Sequence, residues 1–176
     1  MRTLVAGLLF SAAPLLASPD PPPTLKSVLL EQFKTTHNDQ DWFVPASKAI
    51  EGMTAEQARW KDGNANHSIA QLVSHLIFWN QTQLAQLQGR KPPAYSGKND
   101  ETFDLNVDKG TWESMVKQLD DVLTEWEKAI AAADEKTLAS WASTIAHVST
   151  HNAYHTGQIL YIRKQQGSWN PEKGVK

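Results

Sequence analysis

The chain has 176 residues, a single-domain length, and its 40% hydrophobic and 20% charged content is ordinary for a globular protein. A net charge of -2, with both signs interspersed, excludes a broad electrostatic attraction to nucleic acid or anionic membranes. The absence of cysteine excludes disulfides, thiolate ligands, iron–sulfur clusters and cysteine nucleophiles, so any metal must be held by nitrogen and oxygen.

Residues 1–18 read as an export signal. Arg2 gives a short positive start, 4–16 are apolar apart from Ser11 and Pro14, and Ala17 and Ser18 offer a cleavage point. The apolar run is shorter than the roughly 20 residues a membrane span needs. An uncleaved anchor or a leader without structure is the alternative reading. Export would place the mature protein in the periplasm or outside the cell. A proline-rich linker, 19–23, follows, then a domain over 24–170 and a C-terminal tail, 171–176.

Thr24 can cap a first helix carrying Leu25, Val28, Leu29 and Phe33 at helical spacing. The pattern extends towards Ile50 through Trp42 and Phe43, with a kink expected at Pro45. Thr54 and Gln57 form a capping-box pattern that suits one short helical turn. A strong helix is predicted over 68–87, where Leu72, Val73, Leu76, Ile77 and Leu84 follow the 3.6 period and Gly89 can end it. Residues 89–108 show no sustained period, and a connection of that length in a compact domain is functional or mobile. A third helix is predicted over 109–132, a linking turn over 134–141, and a fourth helix over 142–165. Four amphipathic helices, with no convincing strand and no repeat, give an all-α fold read as a four-helix bundle with a long loop between helices 2 and 3. Seven tryptophans predict a core rich in aromatic packing.

The chemistry concentrates in the fourth helix. His147, His151 and His155 recur every four residues, which in a helix stacks them on one face. Such a stripe is either a polar seam in the core or the helical half of a metal site. Burying three imidazoles without partners costs on the order of a few kcal/mol each, and a metal removes that cost by accepting their lone pairs. A helical pair at i and i+4 joined by a ligand from a neighbouring helix is a recurring way to build such a site. His75, inside the second helix beside Leu72 and Leu76, is the best third ligand. His67 opens the same helix and reads as an exposed capping-region residue. His37, near the polar run 35–41, gives no comparable signal.

The segment Ser68-Ile69-Ala70-Gln71-Leu72-Val73-Ser74-His75-Leu76, followed downstream by His151-Asn152-Ala153-Tyr154-His155-Thr156-Gly157-Gln158-Ile159, resembles the DinB-like superfamily. That group includes YfiT-like metal-dependent hydrolases and thiol S-transferases, and the resemblance spans nearly the whole mature chain. It implies a four-helix bundle holding one divalent metal through His75, His151 and His155. His147 matches a histidine that some members carry one turn earlier, read as supporting the site or lining its pocket. Gly157 and Gln158 match a Gly-Gln pair: the glycine could allow a close helix approach, and Gln158 could hydrogen-bond near the site. Trp79 and Tyr154 are read as lining the approach.

Three neutral imidazoles suit Zn, Ni or Fe and leave a coordination position open. The implied activity is a metal-dependent hydrolase or thiol transferase acting on a small molecule that the sequence does not name. The alternative is a non-enzymatic metal- or small-ligand-binding bundle. No nucleic-acid partner and no membrane span in the mature chain are expected, and association into a homodimer is left open.

Overall fold

The computed structural model describes residues 22–63, 67–103 and 107–174. The expected signal segment 1–18 and most of the linker after it lie outside the described residues, as do the last two residues of the tail. Six α-helices, four of them long, carry the described fold, and no strand is present among the described residues.

Helix α1, Leu25–His37, opens on a capping box in which Thr24 and Ser27 satisfy each other's backbone N–H groups. It does not run on towards Ile50 as the apolar pattern suggested. The N–H groups of Asn38 and Asp39 both turn back to the carbonyl of Lys34, which closes the helix. Pro45 then stands at the N-cap of a separate short helix, α2, Ala46–Ile50, where its missing N–H costs no hydrogen bond. Leu25 and Val28 are exposed, because α1 buries the face carrying Leu29, Phe33, Thr36 and His37. His37 thus sits in the interior, although its sequence neighbours are polar.

The Thr54–Gln57 capping box opens α3, Ala55–Arg59, and a Ser68–Gln71 box opens α4, Ile69–Leu87. Gly89 ends α4 at a φ of 66°, a conformation that favours glycine. There the N–H groups of Gly89 and Arg90 reach back to the carbonyls of Gln86 and Ala85, a Schellman closure. The long connection contains a 3-10 turn at Asn99–Phe103. Helix α5, Lys109–Ala132, is capped by Asp108.

Helix α6, Glu135–Gln165, starts two turns earlier than expected, and no linking turn exists at 134–141. The Asp134 carboxylate accepts from the N–H of Thr137 at 2.8 Å and caps the helix there. Leu138 and Ile145 continue the buried face back to that cap. A second 3-10 turn, Pro171–Lys173, lies in the segment read as a tail.

Helices α1 and α4 each pack against both α5 and α6, while α2 rests on α6 and α3 on α4 and α5. Only two of the seven tryptophans, Trp112 and Trp126, are fully buried; Trp42 is 90% exposed. Trp126 stacks on Phe33 and donates its indole N–H to the carbonyl of Asn80. The buried amides of Asn80 and Asn152 exchange reciprocal hydrogen bonds of 2.7 and 3.2 Å, locking α4 to α6 in one register. That lock lies beside His151 in sequence and five residues past His75, so it fixes the two helices where the histidines face each other.

Candidate metal centre

His75 projects from the middle of α4, and His151 and His155 from successive turns of α6. The Nε2 atoms of His75 and His155 each lie 3.0 Å from Nε2 of His151, and the three nitrogens fall within 4.8 Å of one another. His75 and His155 are buried and His151 is half-buried.

Two of the three tautomers are set by partners on the far side of the ring. Nδ1 of His75 lies 2.6 Å from the hydroxyl of Thr102, which donates its own proton to the carbonyl of Asn99 at 2.6 Å. The hydroxyl must therefore accept from His75, placing the imidazole proton on Nδ1. Nδ1 of His155 lies 2.6 Å from Oε1 of Gln158, an atom that can only accept. Both histidines consequently aim a bare Nε2 lone pair at His151. A single N–H on His151 can satisfy one of these lone pairs and leaves the other facing a nitrogen.

An electrophile shared by all three nitrogens removes that deficit. Nitrogens held by one ion at about 2.0–2.1 Å lie about 3 Å apart; two of the three pairs have that spacing and the third lies within 4.8 Å, so the donor set could hold a divalent metal. Hydrogen bonds to the outer ring nitrogens are the usual means of orienting metal-binding histidines.

Electrostatics agree with neutral rings. Burial pushes His75 down to about 3, assisted by the neighbouring His155 and His151, and pushes His151 down to about 4, assisted by His155. Burial also lowers His155, opposed by its bond to Gln158.

The trio lies on a cavity of about 660 Å³ whose wall includes Trp79, Phe103, Gln83 and His147. His147 is exposed and sits on this wall one turn before His151. Trp79 donates its indole N–H to Asn99, tying α4 to the 3-10 turn. Tyr154 packs edge-on against the His155 ring at 5.0 Å and takes a hydrogen bond from Gln158, but it borders a neighbouring cavity with Trp60 and Tyr161 rather than the one at the trio. Gly157 allows no close helix approach, since a Cβ there would meet open space.

The 3-10 turn supplies contacts that sequence reasoning missed. The Phe103 ring stacks on His75 at 4.0 Å and nearly parallel, with His67 on its other face at 3.9 Å. Thr102 and Phe103 thus hold one imidazole by its edge and its face. Nothing periodic marks these residues; only the length of the connection hinted at a role.

An all-helical protein with three converging, neutral histidines in a cavity is the class that fold and site define. The family model of the DinB superfamily matches residues 46–159, and the chain belongs to that superfamily. The match takes in all three histidines. No curated protein and no solved structure matches the chain at a significant level.

Proposed function

We propose that the chain is a four-helix bundle of the DinB type that holds one divalent metal, Zn, Ni or Fe, through His75, His151 and His155. It would act as a metal-dependent enzyme of the hydrolase or thiol-transferase type on a small molecule. The observation that carries this reading is the pair of outward-fixed tautomers, which leaves two Nε2 lone pairs converging on a third nitrogen.

The ion would supply Lewis acidity towards a group entering the open side of the cavity. The protein's own contribution is positional. Thr102 and Gln158 hold protons on the outer nitrogens of His75 and His155, Trp79 and Phe103 wall the site against water, and Gln83 offers an amide to a substrate. His147, on the same wall, can hold a proton at a ring nitrogen outside the ligand set.

A second reading, a binder of metal or small ligands without turnover, is favoured by the makeup of that wall. Among the described residues, that wall carries no carboxylate to serve as a general base. Residues 1–18 would direct the protein to the periplasm or the outside of the cell, a point that the mass of the mature protein checks.

Metal analysis of protein purified without an affinity tag tests the site. One ion per chain is expected, abolished by His75→Ala, His151→Ala or His155→Ala and only weakened by His147→Ala. Substoichiometric metal, with stability unchanged by chelator, would sink the reading. Turnover of ester, amide or thiol-conjugation substrates that disappears in His155→Ala separates enzyme from binder.

A further inference from the structure

A second cavity, of about 470 Å³, opens between α1, α2 and α5 and shares no lining residue with the cavity at the histidine trio. That volume falls within the range of small-molecule pockets, about 300–1,000 Å³. Most of its wall area is apolar, with Ile50 and Met53 facing Trp112, Leu119 and Leu123. Trp112 donates its indole N–H to the carbonyl of Met53 at 3.0 Å, so the ring is pinned as a wall.

The polar end of this cavity is built around His37, only 1% exposed. Its Nδ1 lies 2.6 Å from Glu127 and its Nε2 3.0 Å from Asp120, two residues one heptad apart on α5. Ionised carboxylates only accept, so both bonds are met together by a ring carrying both protons. The imidazole therefore anchors Asp120 from behind. The Asp120 side chain is 61% exposed on the cavity wall, and its second oxygen has no protein partner among the described residues.

The remaining charges on the wall leave a negative excess. Lys117 is engaged by Asp121, and Glu51 by Lys173 and Lys48. Glu113 has no such compensation, and the one positive charge of His37 is shared between two carboxylates, Asp120 and Glu127. An apolar pocket with a carboxylate held at one end is complementary to a cation with a hydrocarbon body.

We infer that this cavity binds a small organic cation, a protonated amine on an apolar body, with the ammonium against Asp120 and the body against Trp112 and Met53. The His37 bridge fixes the carboxylate in place before the ligand arrives, so little ordering is lost on binding.

The probes are benzylamine, benzyl alcohol and benzoate, titrated into the purified protein. The readouts are the NMR signals of the Trp112 indole N–H and the Met53 methyl. Benzylamine should shift both signals saturably, benzyl alcohol should bind about tenfold or more weakly, and benzoate should not bind. Asp120→Asn, which keeps the shape and removes the charge, should bring benzylamine down to the level of the alcohol. Ser47→Phe, which fills the cavity from α2, should block both. Chelator-treated protein should bind benzylamine as untreated protein does, because the metal site lies elsewhere. The assignment is overturned if benzoate binds as well as benzylamine, if neither signal shifts, if Asp120→Asn keeps full affinity, or if chelation abolishes binding; His37 would then be only a bridge between α1 and α5.

Discussion

Thr102 takes the Nδ1 proton of His75 at 2.6 Å while handing its own to the carbonyl of Asn99 at the same distance. Both hydroxyl roles are thus committed, and the direction of the first bond follows from the second. Thr102→Val keeps the shape and removes the acceptor, freeing His75 to change tautomer or rotate. We expect metal affinity to fall by about 10- to 100-fold, the usual cost of losing such an outer partner, with thermal stability in chelator changed little. Thr102→Ser should restore affinity. A chelator-competition titration that gives all three proteins the same affinity would remove Thr102 from any positioning role.

The metal-free protein should weaken on mild acidification. In the unfolded chain these histidines take up protons near the ordinary imidazole value of 6.5, whereas in the folded state burial holds His75 down to about 3 and His151 to about 4. The unfolded state then binds more protons between these limits, so stability is full above 6.5 and is lost as pH falls, down to about 4 for His151 and about 3 for His75. Each histidine contributes at most about 1.4 kcal/mol per pH unit in that window. The check is the urea midpoint against pH in chelator, compared with a variant carrying asparagine at 75, 151 and 155. A wild-type slope no steeper than that of the variant would contradict the buried, neutral rings.

The reciprocal amides of Asn80 and Asn152 make a different prediction, about register. Removing one partner leaves a buried amide unsatisfied, at a cost of about 1–3 kcal/mol. Asn152→Ala should therefore lower the melting temperature and, by loosening α4 against α6, reduce metal affinity as well. The double change Asn80→Leu with Asn152→Leu should recover stability more than affinity, since a hydrophobic pair packs but does not set register. Parallel recovery of both would show that the amides serve packing alone.

The long helices were legible where the apolar period ran unbroken between strong caps. The 3.6 period from residue 68 and the Gly89 stop delimit α4 in sequence as they do in space, and the Ser68–Gln71 capping box at its start is visible in the structure. The three histidines were legible for a related reason, since a helix turns a spacing of four into a shared face. What could not be read was whatever a loop brings back. Thr102 and Phe103 reach His75 only because the connection folds a 3-10 turn over it, and no local pattern encodes that return. His37 was hidden differently: its neighbours are polar, but its partners Asp120 and Glu127 lie more than eighty residues away on α5. The end of α1 was misread because apolar Trp42 and Phe43 continued the pattern although the chain had already turned out to solvent.

The start of α6 gives the sharpest local test. Asp134, Glu135 and Thr137 look like turn chemistry, yet the same residues are a capping signal when an apolar face follows, and Leu138, Ile145 and Val148 provide one. Asp134 caps the helix through the N–H of Thr137, and this bond, with a weaker one from the Thr137 hydroxyl, holds its carboxyl below the usual carboxylate range. If these residues formed a linking turn, Asp134→Ala would be nearly silent. With the helix beginning there, the substitution should cost about 1 kcal/mol, and Asp134→Asn, which can still cap, should cost much less. Amide hydrogen exchange should locate the effect, with faster exchange confined to the first two turns of α6. Metal affinity should hold, because His151 and His155 lie more than four turns further along and are fixed by Asn152, Gln158 and the packing of α4.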